Sequence, residues 1–194
     1  MATATAKTID KWKRKKWFKI FAPNSFDKRE IAETPAEKPE QVLGRTIKVN
    51  VRSLTGQIKK SHIELVFKVN DVQGLNASTE IAGMKVKPET LRRIVRRRNS
   101  KIDLTQDVQT KDKKKAHFKT TIVTLKKIER KKETIIRHKI KEEIEKLARE
   151  KNFEEIVQEI LFGNALTAIF NSVKNIAGIK RIEIMNARQL NEQH

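Results

Sequence analysis

Five arginines occupy the eight positions from Leu91 to Arg98, in the stretch LRRIVRRR. Arginine side chains at this density repel one another, and the acidic residues that would interleave with them on a solvated helix are missing. A guanidinium group binds phosphate through two parallel hydrogen bonds, and each neutralised phosphate releases counterions. The block therefore predicts contact with a phosphate-rich partner. A solvated basic face is the alternative interpretation.

Two further basic blocks accompany the arginines. The stretch KWKRKKWFKIF interleaves Trp12 with lysines, which favours a polyanion-binding arm whose indole ring stacks on a base. The alternative is that Trp17, Phe18 and Phe21 pack into the core while the lysines face solvent. The stretches KDKKK and KKIERKK form a hairpin loop and the start of a helix, where positive charge is unfavourable without an anion. The candidate RNA-binding residues are Lys11, Trp12, Lys13, Arg14, Lys15, Lys16, Arg92, Arg93, Arg96, Arg97, Arg98, Lys101, Lys113, Lys114, Lys115, Lys126, Lys127, Arg130, Lys131 and Lys132.

Residues capable of catalysis form no recognisable constellation. The four histidines are His62, His117, His138 and His194. Their spacing matches no metal site, and Asp103 and Asp107 favour salt bridges to nearby lysine or arginine over a shared metal. No glycine-rich phosphate loop, GxSxG or HExxH motif occurs, and the absence of cysteine excludes thiolate zinc sites. We therefore predict no enzyme activity, cofactor or metal, with a nuclease using His62 or His117 as the catalytic alternative.

The composition predicts an intracellular protein with an anionic partner. The 194 residues carry 44 Lys and Arg against 24 Asp and Glu, a formal charge of +20, and only 37% are hydrophobic. No apolar run approaches the roughly 18 residues of a membrane span, and the basic stretches lack the two faces of a membrane-surface helix. We expect neither membrane binding nor homo-oligomers. The acidic segment at residues 142–160 either faces solvent or contacts a basic neighbouring protein.

Periodicity predicts an α+β fold with an antiparallel β-barrel-like core. Alternation predicts strands within residues 17–21, 45–53, 62–72, 77–82, 101–109, 116–125 and 179–186. Pro88 and Glu89 suit the first turn of a basic helix that ends at Arg98, with Leu91, Ile94 and Val95 facing the core. A C-terminal helical pair is predicted over 128–176, with Asn152 as the second N-cap. Residues 30–44 are expected to be a connector.

The predicted organisation has three parts. A basic arm over residues 1–20 leads into the first strand, a single α+β domain covers 21–186, and a tail covers 187–194. Within the domain, the β-rich core runs to about residue 127 and the helices over about 128–176. The final strand is predicted over about 179–186.

Several stretches together resemble the archaeal and eukaryotic small-subunit ribosomal protein family called S-three-A-e, or eS-one. They are KWKRKKWFKIFAPNSF, EIAETPAEKPEQVLGRTIKVNVRSLTG, FKVNDVQGLNASTEIAGM, LRRIVRRRNSKIDLTQDVQTKD and EIVQEILFG. The resemblance covers most of residues 9–186, and the compact length is more similar to archaeal members. The chain departs from the family at Asp112-Lys113, where the family hairpin has Asp-Gly, and glycine adopts positive φ more easily than lysine.

The resemblance implies a non-catalytic component of the cytoplasmic small ribosomal subunit. It implies binding to small-subunit rRNA on the platform, beside other platform proteins, with mRNA near the exit channel as an additional candidate partner. The segments Lys11–Lys16 and Arg92–Lys101 match family regions that are rich in rRNA contacts. It also implies a β-barrel-like core with attached helices. An RNA chaperone or translational regulator acting off the ribosome is the alternative function.

Overall fold

The computed structural model describes residues 12–190, which contain eight strands and five helices. The strands are β1 Lys16–Phe21, β2 Glu30–Ala36, β3 Thr46–Asn50, β4 Ile63–Gln73, β5 Asn76–Val86, β6 Lys101–Gln109, β7 Lys115–Thr124 and β8 Ile179–Leu190. The helices are α1 Val51–Thr55, α2 Pro88–Ile94, α3 Arg130–Glu150, α4 Phe153–Phe162 and α5 Ala165–Val173. The described chain divides into a first unit, residues 12–47 with 67–80, and a second unit, residues 48–66 with 81–190.

In the first unit, β1 lies between β2 and the beginning of β5. It pairs antiparallel with β2 and parallel with β5, where Ile20 is opposite Ala77. Phe18 and Ile20 point inward and pack with Val69 and Ala77 in a buried cluster. β2 was expected to be part of a connector because it contains Pro35. An edge strand tolerates proline because one row of its N–H groups needs no partner, and β2 pairs with no described strand besides β1.

In the second unit, the end of β5 and the strands β8, β7 and β6 form an antiparallel array in that order. β8 pairs with β7 along its whole length, from Leu190 opposite Lys115 to Ile179 opposite Thr124. The helix α3 packs on β6 and on α5. Its buried residues recur every four positions, at Ile136, Ile140, Ile144 and Ala148, as the sequence periodicity predicted.

The α+β class is confirmed, whereas the expected barrel is not closed. Closure would need hydrogen bonds between the edge strands, and among residues 12–190 β2 bonds only to β1 and β6 only to β7. Alternation identifies the buried face of each strand, but it does not identify the neighbour to which the backbone bonds. The sheet is therefore open.

The C-terminal region contains three helices instead of the predicted pair. Asn152 caps α4 in a capping box with Glu155, as predicted. The break at Gly163 and Asn164 bends the chain by 74° between α4 and α5. No single helix among the described residues has the length and apolar character to span a membrane. The bent pair α4 and α5 meets that test by length and composition only.

The basic helix α2 ends at Ile94, four residues before its predicted end at Arg98. Val95 is already extended, with φ −74° and ψ 123°. The β-branched Val95 and the like charges that further turns would stack both disfavour a longer helix. The Lys180 ammonium donates a hydrogen bond to the Ile94 carbonyl at 3.1 Å and places a cation at the negative end of this helix.

Candidate nucleic-acid interface

The arginine segment is a short helix followed by an exposed turn. Arg92 and Arg93 lie in α2, whereas Arg96, Arg97 and Arg98 follow it, with Arg98 in the left-handed conformation at φ 72°. All five side chains are exposed, and Leu91, Ile94 and Val95 are half-buried. The predicted stacking of Arg92 on Arg96 and of Arg93 on Arg97 is wrong because the helix ends too early. No ion pair involves any of the five arginines within residues 12–190.

Hydrogen bonds bring the stretch KKIERKK, which leads into α3, to the end of the second unit where the arginines lie. The Ser100 N–H donates to the Thr124 hydroxyl at 2.9 Å, and the Thr124 N–H donates to the Ser100 carbonyl at 3.0 Å. The Ile128 N–H donates to the Ser100 hydroxyl oxygen at 3.2 Å. These bonds hold the chain that leads into α3 beside the chain that follows the arginines. The exposed cations placed here are Lys126, Lys127, Arg130, Lys131 and Lys132.

A cleft of about 620 Å³ lies beside α2 and is lined mainly by basic side chains. The basic residues of this cleft are Arg52, Lys59, His62, Lys87, Arg93 and Arg181. Lys87 is paired with Glu64 at 3.6 Å, and Arg181 is paired with Glu183 at 2.6 Å. Among the described residues, Arg52, Lys59 and Arg93 have no acidic partner. The lining also includes one acidic residue, Glu89, so the cleft presents a net positive charge on a concave surface.

Local hydrogen bonds fix the walls of this cleft. The Asn50 carboxamide oxygen accepts from the Arg52 N–H at 2.9 Å and caps α1. The amide nitrogen of the same Asn50 donates to the Ser61 carbonyl at 2.8 Å, and the Lys87 N–H donates to the His62 carbonyl at 2.9 Å. The segments that carry the cations are therefore tied to one another through their backbones. The positions of the cations depend on folded structure and not on one flexible loop.

We call this surface the basic end. It comprises the cleft and the residues Arg92, Arg93, Arg96, Arg97, Arg98, Lys126, Lys127, Arg130, Lys131 and Lys132. The helix α3 starts at the basic end and extends about 31 Å away from it. Residues 130–140 carry five lysines and arginines against Glu133, whereas over 141–150 the glutamates offset Lys141, Lys146 and Arg149. The net positive charge of the helix is therefore concentrated near the basic end.

Comparison with known proteins identifies the family. A sequence model of the Ribosomal S3Ae family matches residues 3–192. The chain belongs to this family. The resemblance found from the sequence motifs is thereby confirmed, and membership of a ribosomal family confirms that the protein is not an enzyme.

Three similar proteins of the family come from archaea. The small ribosomal subunit protein eS1 of Methanobrevibacter smithii is 33% identical over 190 residues, which cover 98% of both chains. The eS1 protein of Methanothermobacter thermautotrophicus is 34% identical over 193 residues, 99% of both chains. That of Picrophilus torridus is 36% identical over 183 residues, which cover 94% of this chain and 88% of the relative. The similarity therefore extends over nearly the whole length.

The predicted hairpin lysines lie at the other end of the second unit. β6 and β7 pair from Lys101 opposite Val123 to Gln109 opposite Lys115, so their connecting loop lies about 30 Å from the arginine turn. Lys113, Lys114 and Lys115 are exposed in this loop and at the start of β7. The structure therefore separates these three candidates from the basic end. An RNA contact at the hairpin would be a second, distant one.

Lys113 lies in the turn between β6 and β7, and its φ of 59° is left-handed. Such a conformation costs a non-glycine residue about 1–2 kcal/mol. Glycine avoids this cost but loses more backbone entropy on folding, so a substitution by glycine recovers the greater part of it. Lys113→Gly should therefore raise the free energy of unfolding by about 0.5–1 kcal/mol, measured by urea denaturation. Lys114→Gly is the matched control, since Lys114 has no positive φ, and it should lower stability slightly. Equal effects at both positions would contradict the prediction.

The candidate residues of the N-terminal block belong to the first unit, except that Lys11 lies outside the described residues. Trp12 is 60% exposed, and the Lys15 ammonium lies 4.5 Å from the centroid of its ring. Arg14 pairs with Glu37 at 3.6 Å. Lys13 and Lys16 are exposed, and Lys16 is the first residue of β1. These side chains provide aromatic surface and positive charge close together in the chain.

Lys101 differs from the other candidates because its charge is already compensated. Its ammonium lies 2.7 Å from the Asp103 carboxylate, which also accepts a hydrogen bond from the Thr121 hydroxyl at 2.7 Å. Burial acts to raise the pKa of Asp103, but these hydrogen bonds and the charges of Lys101 and Lys119 lower it overall. Asp103 therefore takes the salt-bridge role that its strand position favoured. Within the described part of the chain, no group of three acidic, histidine or cysteine side chains could hold a metal.

The sequence interpretation missed four cations of the cleft, namely Arg52, Lys59, Lys87 and Arg181. Each stands outside the three basic blocks, and two of them alternate with apolar residues in or beside predicted strands. Lys87 is the N-cap residue of α2, whereas only the pairing of β8 with β5 and with β7 brings Arg181 towards this helix. No local signal in the sequence distinguishes them from ordinary surface lysines and arginines.

Proposed function

We propose that the protein is a structural constituent of the small ribosomal subunit that binds small-subunit rRNA through its basic end. The observation that carries this proposal is the gathering of uncompensated arginines and lysines at one end of the second unit, in a member of a ribosomal family. The curated relatives are themselves small ribosomal subunit proteins. The protein acts in the cytoplasm.

Binding at the basic end is electrostatic and depends on shape. Exposed guanidinium groups on the arginine turn pair with phosphates of the RNA backbone, and the concave cleft receives a protruding part of that backbone. Such contacts carry little base specificity, so the partner is selected by the shape of the folded RNA and by the spacing of its phosphates. The second half of α3, where glutamates offset the lysines and arginine, lies away from the RNA and is available to neighbouring ribosomal proteins.

The finer location follows the resemblance to the family. We place the protein on the platform of the subunit, near the mRNA exit channel and beside other platform proteins, with mRNA as an additional contact. The positive charge of the basic end suits any RNA of this region. An RNA chaperone or translational regulator acting off the ribosome would use the same surface, and the next experiment separates the two.

Sedimentation distinguishes a ribosomal constituent from an off-ribosome factor. Lysates of host cells that carry a tagged copy should be fractionated on sucrose gradients after a wash in high salt. A constituent should remain in the small-subunit fraction at about one copy per subunit, measured by quantitative mass spectrometry against known subunit proteins. A chaperone or regulator should dissociate and remain at the top of the gradient. Sub-stoichiometric or salt-sensitive association would overturn the proposed function.

A further inference from the structure

The outer face of β1 in the first unit carries aromatic rings that the core does not use. Phe18 and Ile20 point inward and are buried, whereas Trp17 on the opposite face is 57% exposed and Phe21 is half-buried. Tryptophan gains more than most residues from burial, so an indole left in solvent within an ordered strand marks a surface available for contact. The first unit therefore presents an aromatic surface.

Strand geometry sets the spacing of the two rings. Trp17 and Phe21 are four residues apart in one strand, so they share a face and stand about 13 Å from each other. Their neighbours on this face leave the rings accessible. Pro35 lies opposite Trp17 on β2, while Glu30 on β2 and Ser78 on β5 lie beside Phe21. Lys19 stands between the two rings and is paired with Glu30 at 3.2 Å. A groove of about 540 Å³ continues from Phe21 past Asn76 to Lys28.

The charge around the rings indicates which partner they fit. Lys13, Lys16 and Lys28 are exposed, and none has an acidic partner among the described residues. Trp12 adds a third exposed ring beneath the Lys15 ammonium. An apolar peptide would leave these ammonium groups without a compensating negative charge. Unpaired nucleotides match both features, since each offers a flat base for stacking and a phosphate for a lysine.

We propose that the outer face of β1 is a stacking platform for unpaired nucleotides of RNA. Trp17 and Phe21 each carry one base, while Lys13 and Lys28 contact the phosphates that connect them. Bases in a duplex stand about 3.4 Å apart and hide their faces in the stack, so rings about 13 Å apart select an extended single strand. The platform rests on the proposed RNA-binding function, but it recognises a different form of RNA from that expected at the basic end.

The test compares single-stranded with duplex RNA. Full-length protein, wild-type or Trp17→Ala, should be titrated into fluorescently labelled dodeca-uridine and into a labelled 12-base-pair RNA duplex, with anisotropy as the readout. We expect Trp17→Ala to weaken dodeca-uridine binding about 10- to 100-fold and to leave duplex binding unchanged. Trp17→Phe keeps a stacking ring and should restore most of the affinity.

Two controls keep the result interpretable. Leu43→Ala removes an apolar side chain of the same unit that is 46% exposed, and it should bind dodeca-uridine like the wild type. In a Trp12→Phe background, Trp17 is the remaining tryptophan of the sequence, which has two, and its emission should be quenched by dodeca-uridine. This quenching reports directly on stacking at β1. Thermal unfolding of each variant checks that the fold is retained.

The outcomes separate the platform from the proposed function. The platform would be overturned if Trp17→Ala left the affinity for dodeca-uridine unchanged, or if it weakened the binding of single-stranded and duplex RNA equally. Trp17 would then serve as a contact for another protein. Wild-type protein that binds rRNA and duplex but not dodeca-uridine would overturn the platform alone. If the wild-type protein bound none of the three RNAs, the proposed function itself would be overturned.

Discussion

Replacing Arg92, Arg93, Arg96 and Arg97 by glutamine should weaken binding to transcribed small-subunit rRNA on the order of 100-fold at 0.1 M salt. Each arginine that neutralises one phosphate contributes nearly one unit to the slope of log affinity against log salt concentration. The variant should therefore show a slope that is shallower by about 3–4 units. These side chains are exposed and make no ion pair within residues 12–190, so the free energy of unfolding should change little.

A control variant of equal charge separates a local contact from general attraction. It replaces four exposed lysines outside all the candidate sets by glutamine, namely Lys139, Lys141, Lys146 and Lys174. Three of them lie in α3 and one follows α5. Both variants lose four positive charges, so a long-range field would weaken RNA binding equally in both. If the two variants showed the same salt slope, the arginine segment would not be an RNA contact.

The second large effect concerns the helix that connects the basic and acidic regions of the second unit. Ile136→Ala should lower the free energy of unfolding by about 2–5 kcal/mol, because the side chain is 0% exposed and its loss leaves a cavity. The helix α3 packs on β6 and α5, so the cavity lies in the core of this unit. Urea denaturation, monitored by circular dichroism, measures the change in the free energy of unfolding.

The adjacent Ile135 supplies a control of the same residue type on the same helix. It is 48% exposed, so Ile135→Ala loses less buried area and gains helix propensity, and the net change should stay below about 1 kcal/mol. Neither isoleucine belongs to the basic end, so the folded fraction of both variants should bind rRNA normally. Equal destabilisation by the two substitutions would show that the packing of α3 does not depend on its buried face.

The features predicted correctly from the sequence depend on short stretches of chain. The stretch from Trp17 to Phe21 predicted the strand β1, and the Asn152 capping box predicted the start of α4. The stretch KDKKK predicted the hairpin loop between β6 and β7. Each of these features depends on residues within one turn or strand, so the local pattern is sufficient.

Other features depended on partners far away in the chain. The end of α2 at Ile94 involves Lys180, which is 86 positions later, and the sequence around Arg96 carried no sign of it. Pro35 argued against a strand at β2, because proline is acceptable there only if the strand lies at the edge of the sheet. Trp17 looked as suitable for the core as Phe18 until the register of β1 placed them on opposite faces.

By itself, the sequence determined the positive charge, the three basic blocks, the α+β class and the family. Charge and periodicity are properties of residues that are neighbours in the chain, so they are visible before folding. The tertiary structure decided that Arg93, Arg181 and Lys126 lie at one end of the second unit while Lys113 lies at the other. It also decided that Trp17 faces solvent. Strand pairing makes these decisions, because backbone hydrogen bonds join segments whose side chains do not specify their partners in any local pattern.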